Sequence, residues 1–393
     1  MNSLLFSPLK LRDVVLPNRV VVPPMHQYSG VDGFPTEWHL VNAGKFACGG
    51  AGLVIIESTK VERRGRGTLG DLGLWDDCYI ERLARIARFI KDQGSVPGIQ
   101  LGHTGRKART TPPWEGDKPI DRTAENAVAW DEWDMIAPSA LPFAEGWPVP
   151  RALELDEIPA AVQAWGDAAR RADQAGFEVL EVHAAHGYLL HQFLSPLANT
   201  RTDAYGGSET GRFRFVLEVV DCVRANWPAS KPLFMRLSVG DDSGWDLAQN
   251  VRLCRVLRER GVDVIDCSSG GMTGKAPILA TQPPVGYQVP LAAEIRRQAG
   301  IATMAVGMII HGDQAEAVLQ QGQADLVAVG REMLYNPNWA MDAAQKLGED
   351  PRFARVPHQF GLWLGKRAAR PFGTRPSTWQ TGLNIQTGDQ ANG

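Results

Sequence analysis

The sequence predicts an α/β protein of the (β/α)8 barrel class (a TIM barrel), with an N-terminal hairpin below and a lid-like insertion after the third strand. Three observations point there. Eight short apolar, β-branched runs recur from one end of the 393 residues to the other. Each is nearly continuous in apolar residues, as strands buried on both faces are, and each is followed by an amphipathic stretch. No Gly-x-Gly-x-x-Gly turn follows any of them, and no composition break divides the chain, which disfavours two Rossmann halves.

The predicted strands, in order, are Arg19–Val22, Leu53–Ile56, Gly98–Leu101, Val179–Val182, Leu233–Leu237, Val264–Cys267, Ala302–Val306 and Leu326–Val329. The clearest helical period runs over Asp76–Ile90, where Ile80, Leu83, Ala84, Ala87 and Ile90 share a face before Gln93-Gly94 stops it. Asp156–Ala175, Gly211–Ala225, Leu247–Arg260 and Asp313–Gln321 repeat that spacing. Ahead of the first strand, Leu4–Phe6 and Leu11–Val14 read as a hairpin that closes the barrel bottom. Residues 107–151 are rich in Pro, Trp and Asp and have no helical period. They follow strand three, so they belong over the top of the barrel, where substrates enter. Residues 1–370 then make one barrel domain, and the polar stretch 371–393 is a tail without a core.

The net charge of −3 gives no reason to expect a nucleic-acid or polyanion partner. No apolar run approaches the ~20 residues that span a bilayer, and the first residues lack a signal-peptide layout, so a cytoplasmic protein without a membrane partner is expected. The five cysteines (Cys48, Cys78, Cys222, Cys254 and Cys267) are scattered and odd in number. That pattern suits neither a disulfide framework nor a zinc or iron–sulfur site.

In such barrels the chemistry sits at the C-terminal ends of the strands. There the sequence places Pro23-Pro24-Met25-His26-Gln27-Tyr28, Glu57-Ser58-Thr59-Lys60, Gln100, His183-Ala184-Ala185-His186-Gly187-Tyr188 and Arg236. Gly307 follows strand seven, and Gly330-Arg331 follows strand eight. Glycines let backbone N–H groups approach a phosphate closely, and a guanidinium binds two of its oxygens, although glycine also serves tight turns. His183 and His186 are open to two readings. They are either metal ligands, with no obvious third partner in sequence, or paired donors to a carbonyl or nitro oxygen. Tyr188, protonated at neutral pH, is a candidate acid beside them.

The blocks HAAHGYLLHQFLSPLANTRTDAYGGS, NRVVVPPM, WHLVNAGKFACGGAGLVI, QLGHTGRKA and VGREMLYNP resemble the old yellow enzyme family of flavin oxidoreductases. The likeness is strongest to its bacterial branch of thermophilic-like and xenobiotic-reductase-like ene-reductases, and it runs from about Phe6 to Asn338. It implies non-covalent FMN as cofactor, NADH or NADPH as donor, electron-poor alkenes as acceptors and a homodimer or homotetramer. By the same resemblance Pro23, Pro24, Met25 and Lys60 would flank the flavin. Gln100 and Arg236 would meet its pyrimidine edge, Arg236 favouring the anionic reduced form. Gly307, Met308, Gly330 and Arg331 would hold the phosphate. His183 and His186 would grip the substrate oxygen, with Tyr188 as proton donor, while His26 and Tyr28 would line the substrate side.

Three features depart from that branch. His26 stands where it has a flavin-modulating cysteine, and Lys60 replaces a small residue. The C-terminal arm matches only loosely around Pro357-His358-Gln359-Phe360. Lys60, Arg63, Arg64, Arg66, Arg106, Lys107 and Arg109 gather on the loops after strands two and three. They read either as a solvated face or as a basic mouth for an anionic or CoA-linked substrate. The function expected is hydride transfer from NAD(P)H through FMN to the C=C bond of an enone, nitroalkene or unsaturated or aromatic acyl-CoA. The alternatives are a flavin-dependent dehydrogenase or demethylase working oxidatively and a metal-dependent barrel hydrolase, with no metal expected on the first reading.

Overall fold

In a computed structural model, which describes residues 3–121, 133–241, 244–273 and 283–370, the eight apolar runs close into one parallel barrel. A short antiparallel pair comes first, β1 (Leu9–Leu11) and β2 (Val14–Leu16). The barrel begins with β3 (Val20–Val22), β4 (Leu53–Lys60) and β5 (Val96–Gly102). A small parallel pair follows, β6 (Ile136–Ala137) and β7 (Arg151–Ala152). The barrel resumes with β8 (Val179–Ala184), β9 (Leu233–Ser238), β10 (Val264–Ser268), β11 (Ala302–Ala305) and β12 (Leu326–Ala328). β12 pairs with β3 and shuts the ring.

Several strands outrun their apolar runs because polar residues at their upper ends keep extended backbone. β4 continues through Glu57 to Lys60 across a bulge between Ile56 and Ser58, and β8 continues through His183. The predicted helices lie within a few residues of those observed. Ile80–Asp92 buries Leu83, Ile86, Ala87 and Ile90, and its entry turn is capped by Asp76, whose carboxylate accepts from the Cys78 N–H at 2.9 Å.

The hairpin is real but shifted in register from its predicted place. Leu4–Phe6 forms a turn whose Leu5 and Phe6 are buried in the outer core, with the Leu4 and Leu5 N–H groups donating to Glu316. The paired strands are β1 and β2, joined at Leu11↔Val14. Pro8 keeps the first apolar trio out of the ladder by separating it from Leu9.

Inward positions recur every second residue along each strand, and their chemistry changes with height. At the bottom Val21, Leu53, Val96, Val179, Phe234, Val264 and Leu326 form an apolar cluster with Leu16 of the hairpin. Two residues higher on three adjacent strands stand Glu181, Arg236 and Asp266, and two higher again His183, Ser238 and Ser268. The hairpin and the apolar layer seal the lower end, so the site can only open upward.

The predicted lid contributes Trp114, whose ring meets Tyr28 edge-on at 5.4 Å. It is moored by Trp133, whose Nε1–H donates to the Arg66 carbonyl at 3.2 Å. Residues 122–132 of the lid and the predicted tail, 371–393, lie outside the described residues. The loosely matched C-terminal arm is a helix, His358–Ala368, with Phe360, Leu362 and Trp363 exposed. Among the described residues, no helix is long and apolar enough to cross a membrane.

Candidate active site

The end of β8 turns sharply through His186 and Gly187, at φ 57° and 74°. The turn nests against the loop after β10 so closely that a Cβ on Gly187 would lie 2.2 Å from the Gly271 carbonyl oxygen. This is one of the positions where only glycine fits. From behind, His191 Nδ1 accepts the Gly187 N–H at 2.9 Å, and its Nε2 faces the buried Asp241 carboxylate at 2.8 Å. Gln192 donates to the Gly187 carbonyl at 2.7 Å.

That turn brings three rings together. The His183 and His186 rings are 5.2 Å apart and nearly perpendicular, and the Tyr188 ring stands 4.8 Å from His183. His183 Nδ1 accepts the Ala185 N–H at 3.2 Å, which leaves the ring proton on Nε2. His186 Nε2 meets Ser268 Oγ at 2.7 Å, and its backbone N–H donates to Ser238 Oγ at 3.0 Å. Burial holds both imidazoles well below the usual histidine range, with the neighbouring ring and then Arg236 adding for His183, and Arg236 and then Lys107 for His186. Both are therefore neutral at pH 7. Burial first, then Tyr28, Asp71 and Asp117, pushes the Tyr188 phenol up, so it keeps its proton.

Where β3, β9, β11 and β12 end opens a cavity of about 750 Å³, within the ordinary range for a cofactor site. Pro23, Pro24, Met25, Arg236, Gly307, Met308, Gly330 and Arg331 all line it. Eight of the sequence-predicted cofactor residues thus converge from four strands. Gly307 sits at φ 113°, and a Cβ there would meet Gln288 Nε2 at 2.8 Å, so the backbone at this end is bare by necessity. A cradle of exposed backbone amides with one guanidinium fits the phosphate of FMN, and the proline–methionine wall fits a flat ring.

Lys60 and Gln100 are buried and do not line this cavity. Lys60 Nζ contacts Ser58 Oγ at 3.0 Å and Asp71 Oδ2 at 3.5 Å, and lies 5.7 Å from the Tyr188 ring. His26 stacks on Tyr28 at 5.3 Å, and its Nδ1 is buried without a hydrogen-bond partner. Burial, with Lys60 next, lowers the His26 pKa to about 4. Gln100 Nε2 donates to Glu181 Oε1 at 2.7 Å, and Arg236 Nε lies 3.1 Å from Asp266 Oδ2.

The basic residues after strands two and three do not make an open cationic mouth. Arg63 pairs with Asp32 at 3.0 Å and Arg64 with Glu62 at 3.0 Å. Arg66 lies over Trp133 at 4.7 Å, Arg106 donates to the Met272 carbonyl at 3.2 Å and Arg109 to the Trp133 carbonyl at 2.7 Å. Lys107 donates to the His186 and Gly271 carbonyls at 3.0 and 3.2 Å, and burial lowers its pKa to about 8. Among the described residues, no three metal-ligating side chains gather around the histidine pair or elsewhere.

Sequence reasoning missed Ser238, Ser268, Glu181 and Asp266. The signal was available: each falls at the inward parity of its strand, two or four residues above an apolar position.

Comparison with known proteins gives the family. The family model described as the NADH:flavin oxidoreductase / NADH oxidase family matches residues 4–350. The chain belongs to the old yellow enzyme family. Among its relatives, the NADPH dehydrogenase of Geobacillus thermodenitrificans (strain NG80-2) is 45% identical over 352 residues, covering 88% of this chain and 96% of that protein. The NADPH dehydrogenase of Bacillus subtilis (strain 168) is 43% identical over 350 residues, with the same coverage. Among solved structures, morphinone reductase superposes with a TM-score of 0.73 at 30% identity, covering 88% of this chain and 90% of that one. As an old yellow enzyme, the chain is an NAD(P)H-dependent oxidoreductase whose cofactor is FMN.

Proposed function

We propose that this old yellow enzyme is an ene-reductase that uses NADPH and FMN to reduce the C=C bond of neutral, electron-poor alkenes such as enones and nitroalkenes. The observation that carries the reading is the pair of neutral imidazoles beside a protonated phenol on one turn, at the end of the strand whose His183 is in register with the cavity-lining Arg236. Bound FMN supplies two-electron transfer of hydride from the nicotinamide to the acceptor's β-carbon. Pro23, Pro24 and Met25 would bear on the ring, and Gly307, Met308, Gly330 and Arg331 would hold the phosphate.

The protein's own contribution lies at the acceptor. His183 presents Nε2–H, and His186 presents Nδ1–H when the Ser268 hydroxyl donates to its Nε2. Two neutral donors stabilise charge developing on a carbonyl or nitro oxygen without trapping it as a salt. Tyr188 gives its phenolic proton to the α-carbon. Neutral acceptors are favoured over acyl-CoA thioesters because the loop cations are already engaged with carboxylates, carbonyls and an indole ring.

Rapid-mixing kinetics separates the two half-reactions. In Tyr188→Phe, reoxidation by a cyclic enone should slow about 10²–10⁴-fold, the range for loss of a general acid, while reduction by NADPH keeps nearly its full rate. Equal slowing of both halves would remove Tyr188 from the proton-donor role.

A further inference from the structure

The layer of the barrel just below the site holds two carboxyl groups and one cation in a sealed interior. Glu181 and Asp266 have no exposed surface at all. They occupy inward positions of β8 and β10, on either side of β9, which carries Arg236. Arg236 Nε lies 3.1 Å from Asp266 Oδ2, and Arg236 also lines the cofactor cavity above. Gln100, the other group in the layer, is neutral and donates to Glu181 Oε1 at 2.7 Å. Around the ring, Val21, Ile55, Met304 and Ala328 face the same interior, and His183, Ser238 and Ser268 stand above.

One guanidinium cannot compensate two buried carboxylates, and a second buried charge without a counter-ion takes up a proton instead. We propose that Glu181 and Asp266 hold one proton between them, on Glu181, so that the pair balances Arg236 and sets how much of its charge is felt by the flavin. Both act as positioning residues, through Arg236. The inference rests on the placement of FMN against Arg236 given above.

Geometry assigns the proton to Glu181. Asp266 is the carboxylate in contact with the guanidinium. Glu181 Oε1 is engaged as an acceptor by the Gln100 amide, and its Oε2 has no partner among the side chains around it. Burial and then the Asp266 charge push Glu181 up to about 8, in keeping with this assignment.

Infrared spectroscopy of the FMN-free protein tests the proton directly. At pH 7 the wild type should show the carbonyl stretch of a buried carboxylic acid, fading as pH passes about 8. Glu181→Gln should remove the component that fades near pH 8, leaving only that of the buried Glu57 carboxyl. Asp266→Asn should remove the same component, because Glu181 then ionises as the sole counter-ion of Arg236.

The reduction potential of bound FMN gives the second readout. Each single variant keeps one negative charge beside Arg236 and should shift the potential little. The double variant leaves Arg236 uncompensated and should favour reduced flavin at least tenfold, about 30 mV for a two-electron couple. A merely structural pair would not show this non-additivity. Absence of that component in wild type, or single variants that shift the potential independently and additively, would overturn the proposal. Arg236→Met separates the two readings. If it moves the potential while the double variant does not, the shared proton is wrong. If it is silent, FMN does not lie against Arg236, and the proposal falls with that placement.

Discussion

The lower and upper halves of the barrel interior are built on the same strands, at positions only two residues apart, yet they are different materials. Below, Val179, Phe234 and Val264 pack against Leu16 of the hairpin in an apolar plug. Above, the same three strands carry Glu181, Arg236 and Asp266, then His183, Ser238 and Ser268. The lower half is held by area removed from water. The upper half is held by a few directed contacts, and several of its polar atoms have no hydrogen-bond partner among the described residues. Unpartnered buried polar atoms cost stability unless a ligand engages them. The difference separates what keeps the barrel closed from what it holds.

The sharpest break between the halves should come from Phe234, which is wholly buried in the plug. Phe234→Ala should cost about 3–5 kcal/mol of unfolding free energy, the range for a large cavity in a core, read from urea denaturation. The protein that remains folded should bind FMN with unchanged absorbance. A changed flavin spectrum would mean that the plug shapes the site, and the division into halves would fail.

An upper-half substitution should do the reverse. Arg331 lines the cavity beside Gly330, and a guanidinium on a phosphate is worth about 1.5–3 kcal/mol. Arg331→Ala should weaken FMN binding on the order of 10–100-fold in a flavin-fluorescence titration, with the FMN-free protein's unfolding midpoint nearly unmoved. Unchanged affinity would place the phosphate elsewhere.

Legibility in the sequence follows the same boundary. The barrel was readable because buried strands declare themselves as apolar runs. The strand-four turn was readable because two imidazoles and a phenol stand within six residues. Four things were not readable. The hairpin register depends on Pro8 and on pairing rather than on apolarity, so Leu4–Phe6 mimics a strand. The pairing of the basic loops was hidden because Asp32 and Asp71 reach Arg63 and Lys60 only through the fold. Lys60, expected beside the flavin, is drawn to Asp71, since a buried ammonium needs its anion. Glu181 and Asp266 were hidden inside otherwise apolar strands, where one charged residue hardly disturbs the pattern.

The gentlest probe of the boundary is pH. His183 is neutral in the folded protein, with its pKa lowered by burial, whereas an unfolded histidine titrates near 6.5. Below that pH the unfolded chain binds the extra proton, so the stability His183 contributes is present above about pH 6.5 and is lost as pH falls. Each such group gives about 1.4 kcal/mol per pH unit. Glu181 works the other way: raised to about 8, its contribution is present below the usual glutamate range and is lost as pH rises through 8. The two signs together put the stability optimum between these windows. His183→Asn should therefore shrink the stability difference between pH 6.5 and pH 5.5 by about 1 kcal/mol, because at pH 6.5 the unfolded imidazole is already half protonated, measured by urea denaturation at both values. Phe234→Ala, in the lower half, should lower stability equally at both. If the asparagine variant kept the full acid slope, the imidazole would be charged inside the fold and could not serve as the neutral donor that an ene-reductase site requires.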